Sequence, residues 1–279
     1  MYSKQIKKGI NSISITKNKL KQIFNSIIKK VIKHFIYLRI IINLFFPFSS
    51  IESEQRGINL YSSFISLKIK NTGHTLIYNP SCFQPPNKVE INGNEIPYPN
   101  YYYSINSLDY VIKLIWDDPP STTEMLFQDL KNIAEIDLSN FDSSNIKKMS
   151  DMFKGCSCLT SVNFNNFNAS KLEEMFSLFQ ECSSLTSIDL SGFITPKLNN
   201  FNWIFQDCYS LVFLDISNLN TSNVKYMSNI FDGCSNLTSL DLSNFDISIV
   251  TSMFKMFYGC SSLKYSNLSS FITTKVKNM

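Results

Sequence analysis

From residue 126 onward the apolar and polar positions recur with an unbroken period of 26 residues. The copies read LFQDLKNIAEIDLSNF (126–141), MFKGCSCLTSVNFNNF (152–167), LFQECSSLTSIDLSGF (178–193), IFQDCYSLVFLDISNL (204–219), IFDGCSNLTSLDLSNF (230–245) and MFYGCSSLKYSNLSSF (256–271). Phe127, Phe153, Phe179, Phe205, Phe231 and Phe257 share one position; Cys156, Cys182, Cys208, Cys234 and Cys260 share another, with Leu130 in the first copy. A fixed period of this length marks one supersecondary unit stacked on the next. Alternation over Leu240, Asp241 and Leu242 predicts a short strand whose leucines face inward and whose aspartate faces out. In the second half of a copy, Val224, Met227, Ile230 and Phe231 fall at helical spacing, Ser222 offers an N-cap, and Pro196 suits a first turn, which predicts a short helix or 3₁₀ segment. No copy can bury its apolar edge alone. The copies are therefore expected to stack into a right-handed α/β solenoid over residues 123–279, its six parallel strands about 4.8 Å apart in a sheet on the order of 30 Å wide with one open face.

The preceding stretch, residues 55–122, alternates on a shorter scale and predicts a small β-rich unit that caps the solenoid. FISLKIKN (64–71), HTLIYN (74–79), KVEINGNEIPY (88–98) and DYVIKLIW (109–116) read as strands, and Asn92-Gly93 suits a tight hairpin turn. Residues 1–50 differ again. They hold ten of the chain's 26 basic residues and none of its 22 acidic ones, so the remainder has 16 basic against 22 acidic residues, a net charge of −6. That balance disfavours nucleic acid as a partner of the folded part. The basic leader runs into the apolar stretch from Ile40 to Phe48, too short to span a bilayer but suited to the h-region of a signal peptide. Two other readings stay open: an uncleaved anchor over 31–50 with Lys33 and Arg39 at the interface, and a basic amphipathic helix. On all three, membrane contact is confined to the leader.

The pattern L-x-x-L-x-L-x-x-F, as in Leu237, Leu240, Leu242 and Phe245, resembles the strand core of a leucine-rich repeat. The full run NVKYMSNIFDGCSNLTSLDLSNFDIS (223–248) closely resembles the 26-residue repeat of BspA-like leucine-rich-repeat surface proteins. The resemblance covers roughly residues 123–279. It implies a leucine-rich-repeat coil with a parallel β-sheet face, display on or secretion from the cell, and attachment to a protein or glycoprotein ligand such as a host surface component. The family's usual carboxy-terminal tail is not seen, since Met279 falls inside a copy.

The residue types leave little for catalysis. Only 2 histidines and 8 glycines occur, charged residues make up 17%, and neither a glycine-rich phosphate loop nor a G-x-S-x-G elbow is found. No enzyme activity is expected. Cys82 with His74 is an imaginable pair lacking a third partner. The five periodic cysteines line up in one interior row, where free Cys behaves as a small hydrophobe; disulfide or metal use is the alternative. The phenylalanine column, with Met175, Met227 and Met253, reads as core.

Outward strand positions carry the candidate site. Asp137, Asn163, Asp189, Asp215, Asp241 and Asn267 form one column, and Glu135, Ser161, Ser187, Phe213, Ser239 and Tyr265 form the next. Carboxylates about 4.8 Å apart repel unless hydrogen bonds to nearby backbone or Ser/Asn groups offset them. The functional alternative is an acidic strip for a basic partner or for calcium, the one cofactor considered and one that no ligand set supports. Phe213 and Tyr265, with Val212 and Lys264 adjacent, interrupt an otherwise Ser/Thr pattern as aromatic anchors would. Asp189, Val212, Phe213, Asp215, Asp241, Lys264 and Tyr265 are therefore the candidate partner-binding residues. Asn168, Asn220, Asn236 and Asn267 stand in glycosylation sequons that an Asn- and Ser-rich repeat reaches nearly by chance. The rival readings are an intracellular scaffold using the same face and an inactive fragment of a larger surface protein.

Overall fold

The computed structural model describes residues 63–96 and 100–279. The signal-peptide and anchor readings of the leader fall outside the described residues. Twelve strands are present among those described: β1 (Ser63–Ile69), β2 (Gly73–Leu76), β3 (Lys88–Ile91), β4 (Asn94–Glu95), β5 (Tyr102–Ile105), β6 (Ile112–Trp116), then one per repeat, β7 (Ile133–Asp137), β8 (Ser161–Asn163), β9 (Ser187–Asp189), β10 (Phe213–Asp215), β11 (Ser239–Asp241) and β12 (Tyr265–Asn267).

The N-terminal strands join the repeats edge to edge. One sheet runs β4-β3-β6-β1-β7-β8, with β1 antiparallel to both β6 and β7. The β3–β4 hairpin turns through Asn92 (φ 52°) and Gly93 (φ 75°), the paired left-handed residues that an Asn-Gly turn supplies at least cost. Trp116 is buried, meets the ring of Phe141 edge-on at 5.5 Å, and donates its indole N–H to the Gln84 carbonyl. One continuous apolar core extends from Ile65 to Met256.

Two expectations from the repeat pattern are corrected. The first is the helix: none occurs among the described residues, so each copy is strand and turn rather than α/β. The reason lies in where the amides point. Leu126, Gln128 and Leu130 donate three residues back, to the carbonyls of Thr123, Met125 and Phe127, while the intervening Met125, Phe127 and Asp129 donate into the next copy, to Ser150, Met152 and Lys154. With alternate donors spent outside the segment, the i→i−4 ladder of a helix cannot form. The alternation needs two left-handed residues four apart in every copy: Met125 and Asp129, Asp151 and Gly155, Ser177 and Glu181, Trp203 and Asp207, Asn229 and Gly233, Lys255 and Gly259. On this side the copies form a continuous seam, with parallel bridges linking Thr122, Lys148, Glu174, Asn200, Tyr226, Ser252 and Asn278 in turn.

The second correction concerns the sheet. The repeat strands do not form one six-stranded ladder; they pair as β7–β8, β9–β10 and β11–β12. Within each pair the flanking amides also cross: Thr160 to Ala134 and Leu138 to Asn163, Val212 to Thr186 and Leu190 to Asp215, Lys264 to Thr238 and Leu242 to Asn267. No backbone hydrogen bond joins β8 to β9 or β10 to β11.

The repeated interior residues do what stacking asks of them. Phe127, Phe153, Phe179, Phe205, Phe231 and Phe257 form one column of stacked rings, neighbouring centroids 5.2–5.9 Å apart. Such pairs contribute about 0.5–1.5 kcal/mol each beyond area burial. All seven cysteines are free. In the periodic row each thiol donates to the carbonyl of the Phe 29 residues earlier: Cys156 to Phe127, Cys182 to Phe153, Cys208 to Phe179, Cys234 to Phe205 and Cys260 to Phe231, at 2.9–3.1 Å. Burial pushes the Cys156 thiol up to about 12 and raises Cys182, Cys208 and Cys234 strongly in the same direction. Thiolate chemistry is thereby suppressed along the row.

Candidate interaction face

The outward column at the strand ends is built from turns. Asp137, Asp189, Asp215 and Asp241 each accept, through Oδ1, the amide of the serine two residues on (Ser139, Ser191, Ser217, Ser243). Asn163 and Asn267 accept the amides of Asn165 and Ser269 in the same way. An Asp or Asn side chain that closes such a turn satisfies the chain as it leaves the strand. These bonds favour the charged form, so the Asp189 and Asp241 carboxyls lie below the usual aspartate value, held there by Ser191 and Ser243. Asn163 also donates to Asp137 across one copy, at 2.9 Å. Among the described residues no cluster of three or more His, Cys, Asp or Glu side chains is arranged to hold a metal ion. The column is thus accounted for by turn chemistry.

A second column of turns lies further along each copy. Asp142, Asn168, Asn220 and Asp246 accept the amides of Ser144, Ser170, Ser222 and Ser248. Beneath it, buried Ser143, Thr195 and Thr221 accept the amides of Asn168, Asn220 and Asp246 from the next copy. Polar residues of the repeat therefore fasten one copy to another as much as they face water.

Where the ladder stops between β10 and β11, a cleft of about 220 Å³ opens, lined by Val212, Phe213 and Leu214 on one side and by Ser239, Leu240, Asp241 and Tyr265 on the other. Phe213 is 57% exposed and Tyr265 61%, which is far more than their neighbours on the same strands. Four of the seven sequence-derived candidates, Val212, Phe213, Asp241 and Tyr265, come together here. Asp189 and Asp215 stand at the ends of β9 and β10, and Lys264 precedes β12; none of the three lines the cleft. Leu214, Leu240 and Ser239 line the cleft outside that set; the two leucines pack into or against the core, and the outward one is Ser239. Its signal was its place between two aromatics in the column Phe213, Ser239, Tyr265.

The imagined pair of Cys82 and His74 is not assembled. His74 bonds Ser104 Oγ at 2.8 Å and stacks on Tyr102, while Cys82 is buried with its thiol pushed up to about 11 by desolvation.

No curated protein matches the chain. Among solved structures, a leucine-rich repeat protein of T. pallidum (TpLRR) is similar at 21% identity, with a TM-score of 0.32 and coverage of 49% of this chain. The chain spans 63% of the length of that protein. Residues 121–213 and 188–279 match the family model described as "Mycoplasma protein of unknown function, DUF285". Those two stretches together take in more than half of the chain, which belongs to the DUF285 family.

Proposed function

We propose that this chain is a leucine-rich-repeat interaction protein of the BspA-like kind, a right-handed solenoid that binds a protein or glycoprotein partner through its outward strand face and is displayed on or secreted from the cell. The observation that carries the reading is the contrast in chemistry along that face. Asp and Asn positions are committed to turns in every copy, whereas Phe213 and Tyr265 interrupt a serine column and stand exposed around a cleft. Exposed aromatics flanking a recess are the residue types that dominate binding energy at protein interfaces. A rigid stack positions them at little ordering cost on association. The basic leader, with its apolar run from Ile40 to Phe48, supports export.

The seven free cysteines favour a second reading, an intracellular scaffold that uses the same face, because reducing compartments keep thiols unpaired. Protease shaving of intact cells with fractionation separates the two. A shaved chain lacking its leader supports display; a full-length chain protected in the cytosol supports the scaffold. For the face itself, changing Phe213 and Tyr265 together to Ser, the residue found at the equivalent positions 161, 187 and 239, is expected to weaken capture of a surface partner while leaving thermal unfolding nearly unchanged. Undiminished capture would remove the strand face from the account.

A further inference from the structure

The cleft between β10 and β11 has a shape and charge that select one kind of side chain. Phe213, Ser239 and Tyr265 occupy the same outward position of three successive strands, with Ser239 and Tyr265 directly paired. The two aromatic residues therefore stand on either side of the strand that bears Ser239, and because β10 and β11 are not hydrogen-bonded, the Phe213 side is not held at the paired spacing of about 4.8 Å. The cleft they flank, of about 220 Å³, lies over the small side chain of Ser239 and is large enough to take one side-chain head group. Asp241, two residues along β11 on the same side, lines the same cleft. Its Oδ1 accepts from the Ser243 amide, which fixes the carboxylate's orientation, and a carboxylate offers about four acceptor positions, so capacity remains for a ligand.

A cleft flanked by two exposed aromatic side chains and a carboxylate suits a guanidinium. That group is planar, stacks on aromatic faces and pairs with carboxylates through a rigid fork, whereas a lysine ammonium is compact, strongly hydrated and without a face. A neutral ring would use the walls and leave the carboxylate unanswered. The attraction toward a cationic group is local, from Asp241 in the cleft lining, since the full chain carries a net charge of +4. Resting on the reading of the strand face as a binding surface, we propose that this cleft receives an arginine side chain of a partner polypeptide, its guanidinium between Phe213 and Tyr265 and paired with Asp241.

The test is a nuclear magnetic resonance titration of the full chain with the peptide acetyl-Gly-Gly-Arg-Gly-Gly-amide, beside versions carrying lysine or citrulline, the neutral isostere of arginine. The arginine peptide is expected to give saturable shifts at the Ser239 amide and the Tyr265 ring, with lysine and citrulline weaker by about threefold or more. Phe213→Ser and Tyr265→Ser restore the residue found at 161, 187 and 239, so both variants keep the fold, and unshifted resonances of Phe179 verify it. Each is expected to weaken the arginine peptide by about threefold or more, and Asp241→Asn to weaken it and flatten its salt dependence. Absence of saturable shifts, an equal response to citrulline, or no effect of the serine variants would overturn the proposal. A partner protein displaced by Phe213→Ser and Tyr265→Ser yet indifferent to competing arginine peptide would also overturn it, while leaving the strand face as the binding surface.

Discussion

The two sides of each repeat obey the same 26-residue period but hold together differently. On the turn side every copy is hydrogen-bonded to the next: the amides of Phe127, Phe153, Phe179, Phe205 and Phe231 reach the following copy at 2.9–3.1 Å, above an unbroken column of stacked rings and buried thiols. On the strand side the ladder is made in pairs and stops twice. The turn seam therefore carries the stacking, and the strand face is released from it. Variation appears where the release is: the turn-side Phe and Cys positions hardly change between copies, whereas the outward strand column passes from Ser187 to Phe213 to Ser239 to Tyr265.

Changes on the turn side should cost most. Phe179→Ala removes a fully buried ring from the middle of the column and is expected to destabilise by about 3–5 kcal/mol, measured by denaturant unfolding. The same change at half-buried Phe257 should cost visibly less; an equal loss would mean that the column does not bear the load assigned to it. Gly233→Ala is next. Its φ is 77°, and an added Cβ would come 2.5 Å from Asp207 Oδ1 and 3.3 Å from the Asp207 Cα, so a loss of about 1–3 kcal/mol is expected from strain at a left-handed position.

Some of this was legible in the residues and some was not. The period alone placed every repeat strand and every column, because equal spacing sends equivalent residues to equivalent places. The Asn92-Gly93 hairpin and the buried cysteine row were likewise readable from residue chemistry. The helix expectation went wrong because Val224, Met227, Ile230 and Phe231 fit a stacked turn as well as they fit a helix; burial on one side does not report which carbonyl each amide reaches. A signal was present in the column Asp129, Gly155, Glu181, Asp207, Gly233, Gly259, whose glycines mark positive φ. The breaks in the sheet left no such trace, since LTSIDLS before one pairing and LTSLDLS before another are nearly the same sequence. Of the candidate site, the exposed aromatics were found from pattern, but their meeting with Ser239 and Asp241 depends on where the ladder stops.

On the strand side the expected effects are smaller. Asp142, Asp189, Asp241 and Asp246 are held below the ordinary aspartate pKa of 3.8 by the serine groups two residues on. A depressed folded-state pKa adds stability that is fully present above 3.8 and lost as pH falls through the lower folded values. Asp151, raised by burial, works in the opposite sense. Thermal melts should therefore weaken below about pH 4, and Asp189→Asn with Asp241→Asn, which keep the turn acceptor, should lessen that dependence. An unaltered pH profile would remove the carboxylates from the turn account. Smallest of all, Phe213→Ser with Tyr265→Ser should shift stability by no more than about 0.5 kcal/mol, as for surface sites outside the packed core.

Native-state hydrogen exchange, read amide by amide, tests most directly the claim that a continuous seam carries an interrupted face. The amides of Phe153, Phe179, Phe205 and Phe231 should exchange slowly together, and Leu190, Val212, Leu242 and Lys264 should show protection from their paired strands. Phe164, Thr186, Ile216 and Thr238, at the equivalent positions across the two breaks, should exchange fast. Uniform protection across all of these strand-side amides would contradict the account.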